Sequence, residues 1–206
     1  VITGNFGGPV AKIPGIGSIP IPFTAVGYGY GVSDKTTVFG NLHTTSLLFG
    51  IGQTDLGVSQ RIWKNDKMGV SAQGTMNVLV DFYTGANRFW PQVDANYYIK
   101  YGKHSKPVQL DAMCKIESKH YNLLYAGISN WFDPYKTESQ GRPNAQFWIP
   151  SVQLGHQWIR PKWSYQAELK MLAPNQSNEN IVVNYPSVLN NRGALGLYFG
   201  ITYHLK

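Results

Sequence analysis

The chain has a single cysteine, Cys114, few charged residues and no long apolar run. One thiol excludes an internal disulfide framework and a multi-thiolate metal site, so the fold must close by other means. Asp, Glu, Lys and Arg make up 14% of the 206 residues, against about 25% in an ordinary soluble protein. No apolar stretch approaches the roughly 20 residues that a membrane-spanning helix needs, so a chain of this kind crosses a bilayer only as a closed β-barrel. No basic segment followed by an apolar one stands at Val1, so any secretory signal is expected to have been removed or to lie outside this sequence. The net charge of +7 is dispersed, with no basic run of five. That argues against nucleic acid as a partner and for anionic lipid head groups.

What the chain does have is alternation. Between residues 68 and 83, Met68, Val70, Ala72, Met76, Val78, Val80 and Phe82 alternate with Gly69, Ser71, Gln73, Thr75, Asn77 and Asp81, the period of two that a strand imposes and a helix cannot. Residues 89 to 101 repeat it, with Phe89, Val93, Tyr97 and Ile99 against Trp90, Gln92, Asp94, Asn96 and Lys100. Residues 108 to 119 set Val108, Leu110, Ala112, Cys114 and Ile116 against Gln109, Asp111, Lys115, Glu117 and Lys119. At the chain end, Leu195, Leu197, Phe199, Ile201, Tyr203 and Leu205 alternate with Gly196, Tyr198, Gly200, Thr202 and His204. Fainter alternation at 22–32, 36–51, 54–64, 122–132, 146–160 and 163–173 brings the expectation to about ten strands, an even number that suits a bacterial barrel. Pro91 and Pro150 are expected at bulges or strand ends.

One domain is expected, an all-β, transmembrane, antiparallel up-and-down barrel over 22–206, preceded by an extended segment over 1–21. The turns near Gly52, Gly85, Tyr121 and Pro161 are short, while 133–145 and 174–192 are long. Placing the short turns together puts both termini in the periplasm of a Gram-negative envelope. A soluble barrel would alternate too, but its outer polar face would be rich in Lys and Glu. Here that face is Gly, Ser, Gln, Thr, Asn and Tyr with isolated charges, which suits a crowded lumen. The six tryptophans, Trp63, Trp90, Trp131, Trp148, Trp158 and Trp163, fall near strand ends, where amphipathic rings favour the membrane interfaces; parity equally allows Trp90 and Trp131 to point inward.

The final run GALGLYFGITYHLK resembles the terminal strand of outer-membrane barrel proteins, although Lys206 stands where an aromatic residue is common. The resemblance implies fold and location, the cell outer membrane, and transfers no functional residue.

The candidate functional residues form a lumen charge network: Arg61, Asp81, Asp94, Lys100, Asp111, Lys115, Glu117, Glu168 and Lys170. A hairpin centred between His104 and Ser105 would set Asp94 opposite Lys115 and Lys100 diagonal to Asp111. Such charges either stitch the lumen shut or line a narrow ion path; in a barrel this small, side chains can nearly fill the interior. The apolar residues Ile181, Val182, Val183, Tyr185 and Val188 form a candidate partner surface. The expected partners are the bilayer, lipopolysaccharide and other outer-membrane or periplasmic proteins. No cofactor, metal or nucleotide is implied, since the five histidines lack ligand spacing and no helix follows the glycines of 27–31 to bind an anion. Three functions remain in play: a non-catalytic structural or accessory subunit of an envelope assembly, a narrow channel for ions or small polar solutes, and a hydrolase needing a Ser/His or Asp/His cluster at the extracellular rim.

Overall fold

Among the described residues, thirteen strands and one short helix follow one another. They are β1 Ile2–Ile13, β2 Gly17–Pro20, β3 Phe23–Gly31, β4 Thr36–His43, α1 Thr44–Leu48, β5 Ile51–Lys64, β6 Met68–Asp81 and β7 Asn87–Tyr101. Then come β8 Val108–Leu110, β9 Cys114–Ile116, β10 Tyr121–Phe132, β11 Trp148–Ile159, β12 Trp163–Ser177 and β13 Arg192–Tyr203. The computed structural model describes residues 1–102, 108–110, 114–116, 120–137, 146–179 and 183–205.

Ten of the strands form one antiparallel wall, each pairing with its neighbours from β3 through β7 and from β10 through β13. β1 closes the ring, pairing with β13 from Ile2↔Tyr203 to Pro9↔Gly196 and with β3 from Ile2↔Tyr28 to Gly7↔Phe23. Closure leaves no unpaired sheet edge, so every wall strand finds its backbone partners within the chain.

Two expectations are corrected by this topology. Residues 1–21 are not a segment outside the barrel: Ile2–Ile13 is a wall strand, and Gly17–Pro20 pairs back onto its far end. Its Gly and Pro content hid it, because Gly7 takes a φ of 130° and presses against Leu197 of β13, a contact no side chain permits. Conversely, residues 108–119 are not a wall strand. β7 pairs directly with β10, and the chain between them carries a separate small hairpin of β8 and β9.

Gaining β1 reverses every strand from β3 to β7, and losing 108–119 restores the expected direction from β10 onward. The Tyr121 and Pro161 turns therefore lie at the end that holds Val1 and Leu205, together with 32–35 and 65–67 (the terminus end). The Gly52 and Gly85 turns lie at the other end with 133–147 and 178–191 (the loop end), contrary to the grouping expected from the sequence. The long connections still oppose the termini. The strand expected over 36–51 is interrupted by α1, whose Leu47 and Leu48 prolong the apolar run of β4 in sequence but not in conformation. Pro91 and Pro150 sit within strands, each just past the last pair of one ladder, so their missing N–H groups break no ladder bond on that side.

The distribution of burial is inverted relative to a soluble fold. Among the described residues, the buried apolar side chains are Ala11, Ala25 and Met171, whereas Thr75, Asn77, Asp94, Ser129, Ser151, Ser164 and Glu168 are buried polar ones. Every wall strand turns large apolar residues outward, among them Phe6, Val26, Leu42, Leu56, Met76, Val93, Ile128, Leu154, Leu169 and Ile201. A soluble monomer seldom exposes a contiguous apolar patch beyond about 600 Å², and here the apolar surface encircles the molecule. Lipid is the medium that such an outside requires.

Candidate functional site: the polar lumen

The inward rows of β6, β7 and β10 to β13 meet in a polar network. Asp94, on β7, faces Gln73 of β6 and Ser129 of β10 across the two ladders. Its carboxylate accepts hydrogen bonds from Gln92 Nε2 at 2.9 Å to each oxygen and from Gln73 Nε2 at 3.2 Å. Asn77 Nδ2 donates to Gln92 Oε1 at 3.2 Å, and Gln153 Nε2 of β11 donates over Gly127 of β10 to Asn96 Oδ1 of β7 at 2.7 Å. On the other flank, Tyr125 Oη donates to Glu168 Oε2 at 2.6 Å and accepts from Gln166 Nε2 at 2.8 Å. Lys170 Nζ lies 3.1 Å from Glu168 Oε1 and 5.2 Å from the centre of the Tyr198 ring.

On the opposite flank β3 contributes almost no inward side chain, and its neighbours β1 and β4 supply Thr3, Asn5, Thr37, Phe39 and Asn41 instead. β3 turns Ala25, Gly27, Gly29 and Gly31 inward, and Val26, Tyr28 and Tyr30 outward. The result is a cavity of about 690 Å³ inside the barrel, lined among others by Asn5, Gly29, Asp94, Tyr98, Gln157 and Lys170. Glycine also keeps the large inward side chains off the axis. Tyr125 stands opposite Gly155 on β11, and a Cβ placed there would lie 2.2 Å from its ring. Tyr98 uses Gly69 in the same way, Phe39 uses Gly57, Asn96 uses Gly127 and Asn41 uses Gly27, each pair directly opposed across a ladder. Each side chain lies flat on the wall because its cross-strand neighbour has none. Toward the loop end the lumen face carries Trp90, opposite Asn77, and Trp131, opposite Gln92, which settles the two tryptophans whose parity left both faces open.

The predicted network is thus only partly assembled. Asp94, Glu168 and Lys170 all line the lumen, but only Glu168 and Lys170 touch. Lys100 is at the terminus end of β7, its Nζ 4.5 Å from the centre of the Tyr121 ring. Arg61 sits at the same rim and donates from NH2 to the Asp34 carbonyl at 2.6 Å. Asp81 closes the 82–86 turn, accepting from Tyr83 N at 2.8 Å and Thr84 Oγ1 at 2.8 Å, and belongs to no lumen pair. The expected contact of Asp94 with Lys115 does not form, because Lys115 is opposite Gln109 in the outlying hairpin. Asp111, Glu117 and Lys119 lie outside the described residues, so the Lys100–Asp111 diagonal does too.

Sequence reasoning missed one lumen pair. His43 Nε2 lies 2.8 Å from Asp55 Oδ2, linking β4 to β5. Its signal was present in the alternation of β5, where Asp55 shares the inward parity of Gly57 and Ser59. Two other histidines contact hydroxyls: Ser164 Oγ and His204 Nε2 are 2.7 Å apart, and Tyr101 Oη meets His156 Nε2 on the outer face. Ser164 is 1% exposed, which denies it contact with any substrate.

No protein-family model matches the chain, and no curated protein matches it in sequence. Among solved structures, the chain is similar to the NanC porin in its rhombohedral crystal form, with a TM-score of 0.40 and 10% sequence identity over 100% of each chain. Strand pairing and the inverted distribution of polarity decide the fold. The protein is a closed, ten-stranded membrane β-barrel.

Proposed function

We propose that this chain is a non-catalytic barrel of the bacterial outer membrane whose lumen passes small polar solutes. The observation that carries the proposal is the cavity inside the barrel, lined by amides, hydroxyls and rings and left where Tyr98, Tyr125, Phe39, Asn41 and Asn96 lie flat over facing glycines. A lumen sealed by paired charges would have put side chains in that volume. Among the described residues Asp94 is held by neutral amides and not by a cation, which supports a preference for cations over anions. The tight turns 32–35, 65–67 and 160–162 share an end with both termini, which supports a periplasmic location for that end; the connection 102–120 is the long exception. Exposed Lys64, Lys67 and Lys162 at this rim suit anionic lipid head groups.

Reconstituted vesicles test the proposal. Swelling in isotonic glycine or ribose, together with a reversal potential of cation-selective sign in a salt gradient, is the expected result. Vesicles that do not swell even in glycine would refute it. A second proposal, a structural or accessory subunit of an envelope assembly, draws support from the loop end. There Val188 is 69% exposed beside Leu189, while Val183 and Tyr185 are half-buried; Ile181 and Val182 lie outside the described residues. Lipopolysaccharide or a protein partner would cover that site, and crosslinking from position 188 in intact cells distinguishes the two.

A further inference from the structure

Leu48, Phe49, Phe82 and Tyr83 crowd one sector of the loop end, with exposures of 85%, 69%, 64% and 83%. They come from the connections joining β4 to β5 and β6 to β7, which are neighbours around the wall. The two connections form one unit: Phe82 N donates to the Gly50 carbonyl at 3.0 Å, the Phe82 ring packs on Gly52 and the Tyr83 ring on Gly50. We infer that this unit is a membrane anchor, inserted in the interfacial zone of the bilayer and extending lipid contact past the strand ends over the β4 to β7 sector.

Two observations select lipid as the occupant. The first is continuity with the lipid-facing wall. Phe82 prolongs the outward row of Met76 and Val80 with the same period of two, and the outward Leu42 and Leu56 lie beside it on β4 and β5. The second is internal satisfaction of the hydroxyls. Thr44 Oγ1 pairs with Thr24 Oγ1 at 2.6 Å, Thr45 Oγ1 donates to the Pro22 carbonyl at 3.1 Å, and Ser46 Oγ donates to Gln53 Oε1 at 2.9 Å. The turn amides of Phe49 and Gly50 are likewise bonded, to Ser46 and Leu47 carbonyls. No charged residue occurs between 44 and 54. A segment with its polar groups spent inward can enter a water-poor medium without leaving those groups unpaired. In the second connection the Asp81 carboxylate is likewise engaged, accepting from Tyr83 N, Thr84 N and Thr84 Oγ1.

The anchor is independent of whether the barrel conducts. Its test is a nitroxide attached through L48C, and separately through F49C, in a C114S background, with L154C as the mid-wall control and K35C as the aqueous one. The full chain is folded into phosphatidylethanolamine and phosphatidylglycerol vesicles, and spin relaxation by oxygen is compared with relaxation by a water-soluble nickel chelate. The anchor requires the oxygen-to-nickel relaxation ratio at 48 and 49 to fall between those at 154 and 35, clearly above the aqueous value. Labels that behave like the one at 35, or that are shielded from both reagents by a second copy or another protein, overturn it. Nickel-accessible L154C would overturn the membrane barrel as well, which separates the two failures.

Discussion

Gly155 and Tyr125 show how much of the lumen is decided by an absent side chain. With a Cβ at Gly155 only 2.2 Å from the Tyr125 ring, Gly155→Val must push that ring toward the axis or strain β11, at a cost of about 1–3 kcal/mol. Pore conductance should fall at least twofold while heat-modifiable gel migration, the mark of a folded barrel, persists. Tyr125→Ser in the same background should restore conductance; if it does not, the packing account of this pair is wrong. Trp90 makes the converse prediction. Trp90→Ala removes bulk from the lumen face toward the loop end and should raise conductance. Asp94→Asn replaces an acceptor that three amide bonds converge on. It should cost roughly 1–3 kcal/mol of stability through an unmatched donor, and it should move the reversal potential toward zero. Little of this was legible in the chain. Parity assigned Asp94, Glu168 and Lys170 to the lumen correctly, but parity cannot pair residues across strands, and the opposition of Gly155 to Tyr125 depends on register.

β1 and the segment between β7 and β10 exchanged places between sequence and structure. The stretch 108–119 alternates more cleanly than 2–13, yet the second is in the wall and the first is not. Alternation reports which faces a strand would present; it does not report whether the neighbouring strands leave room for it. β7 and β10 match each other from Gln92↔Trp131 to Tyr101↔Asn122, which excludes a strand between them. β1 is recognised only by its partners, since Gly4, Gly7 and Gly8 give it no side chains to pattern. The strand count survived because one loss offset one gain, and so did the placement of both termini at one end. Deletion tests the exchange: removing residues 2–13 should abolish the heat-modifiable form, whereas removing 104–118 and bridging the gap with a short Gly-Ser linker should preserve it. The reverse pattern would contradict the strand order.

The whole molecule is a soluble protein turned inside out, with its amides and carboxylates enclosed and its leucines and valines outside. That inversion was visible early, in the 14% charge content and in polar rows of Ser, Gln, Thr and Asn where a soluble barrel would carry Lys and Glu. What the sequence did not reveal is the cavity left inside the wall, because filling depends on where glycines fall relative to tyrosines on adjacent strands. The measurement that reaches this point most directly is single-channel recording of the purified, heat-modifiable protein in planar bilayers. Steady conductance steps of one size, cation-selective and reduced by Gly155→Val, are predicted. A folded barrel that inserts and remains silent would contradict the open lumen.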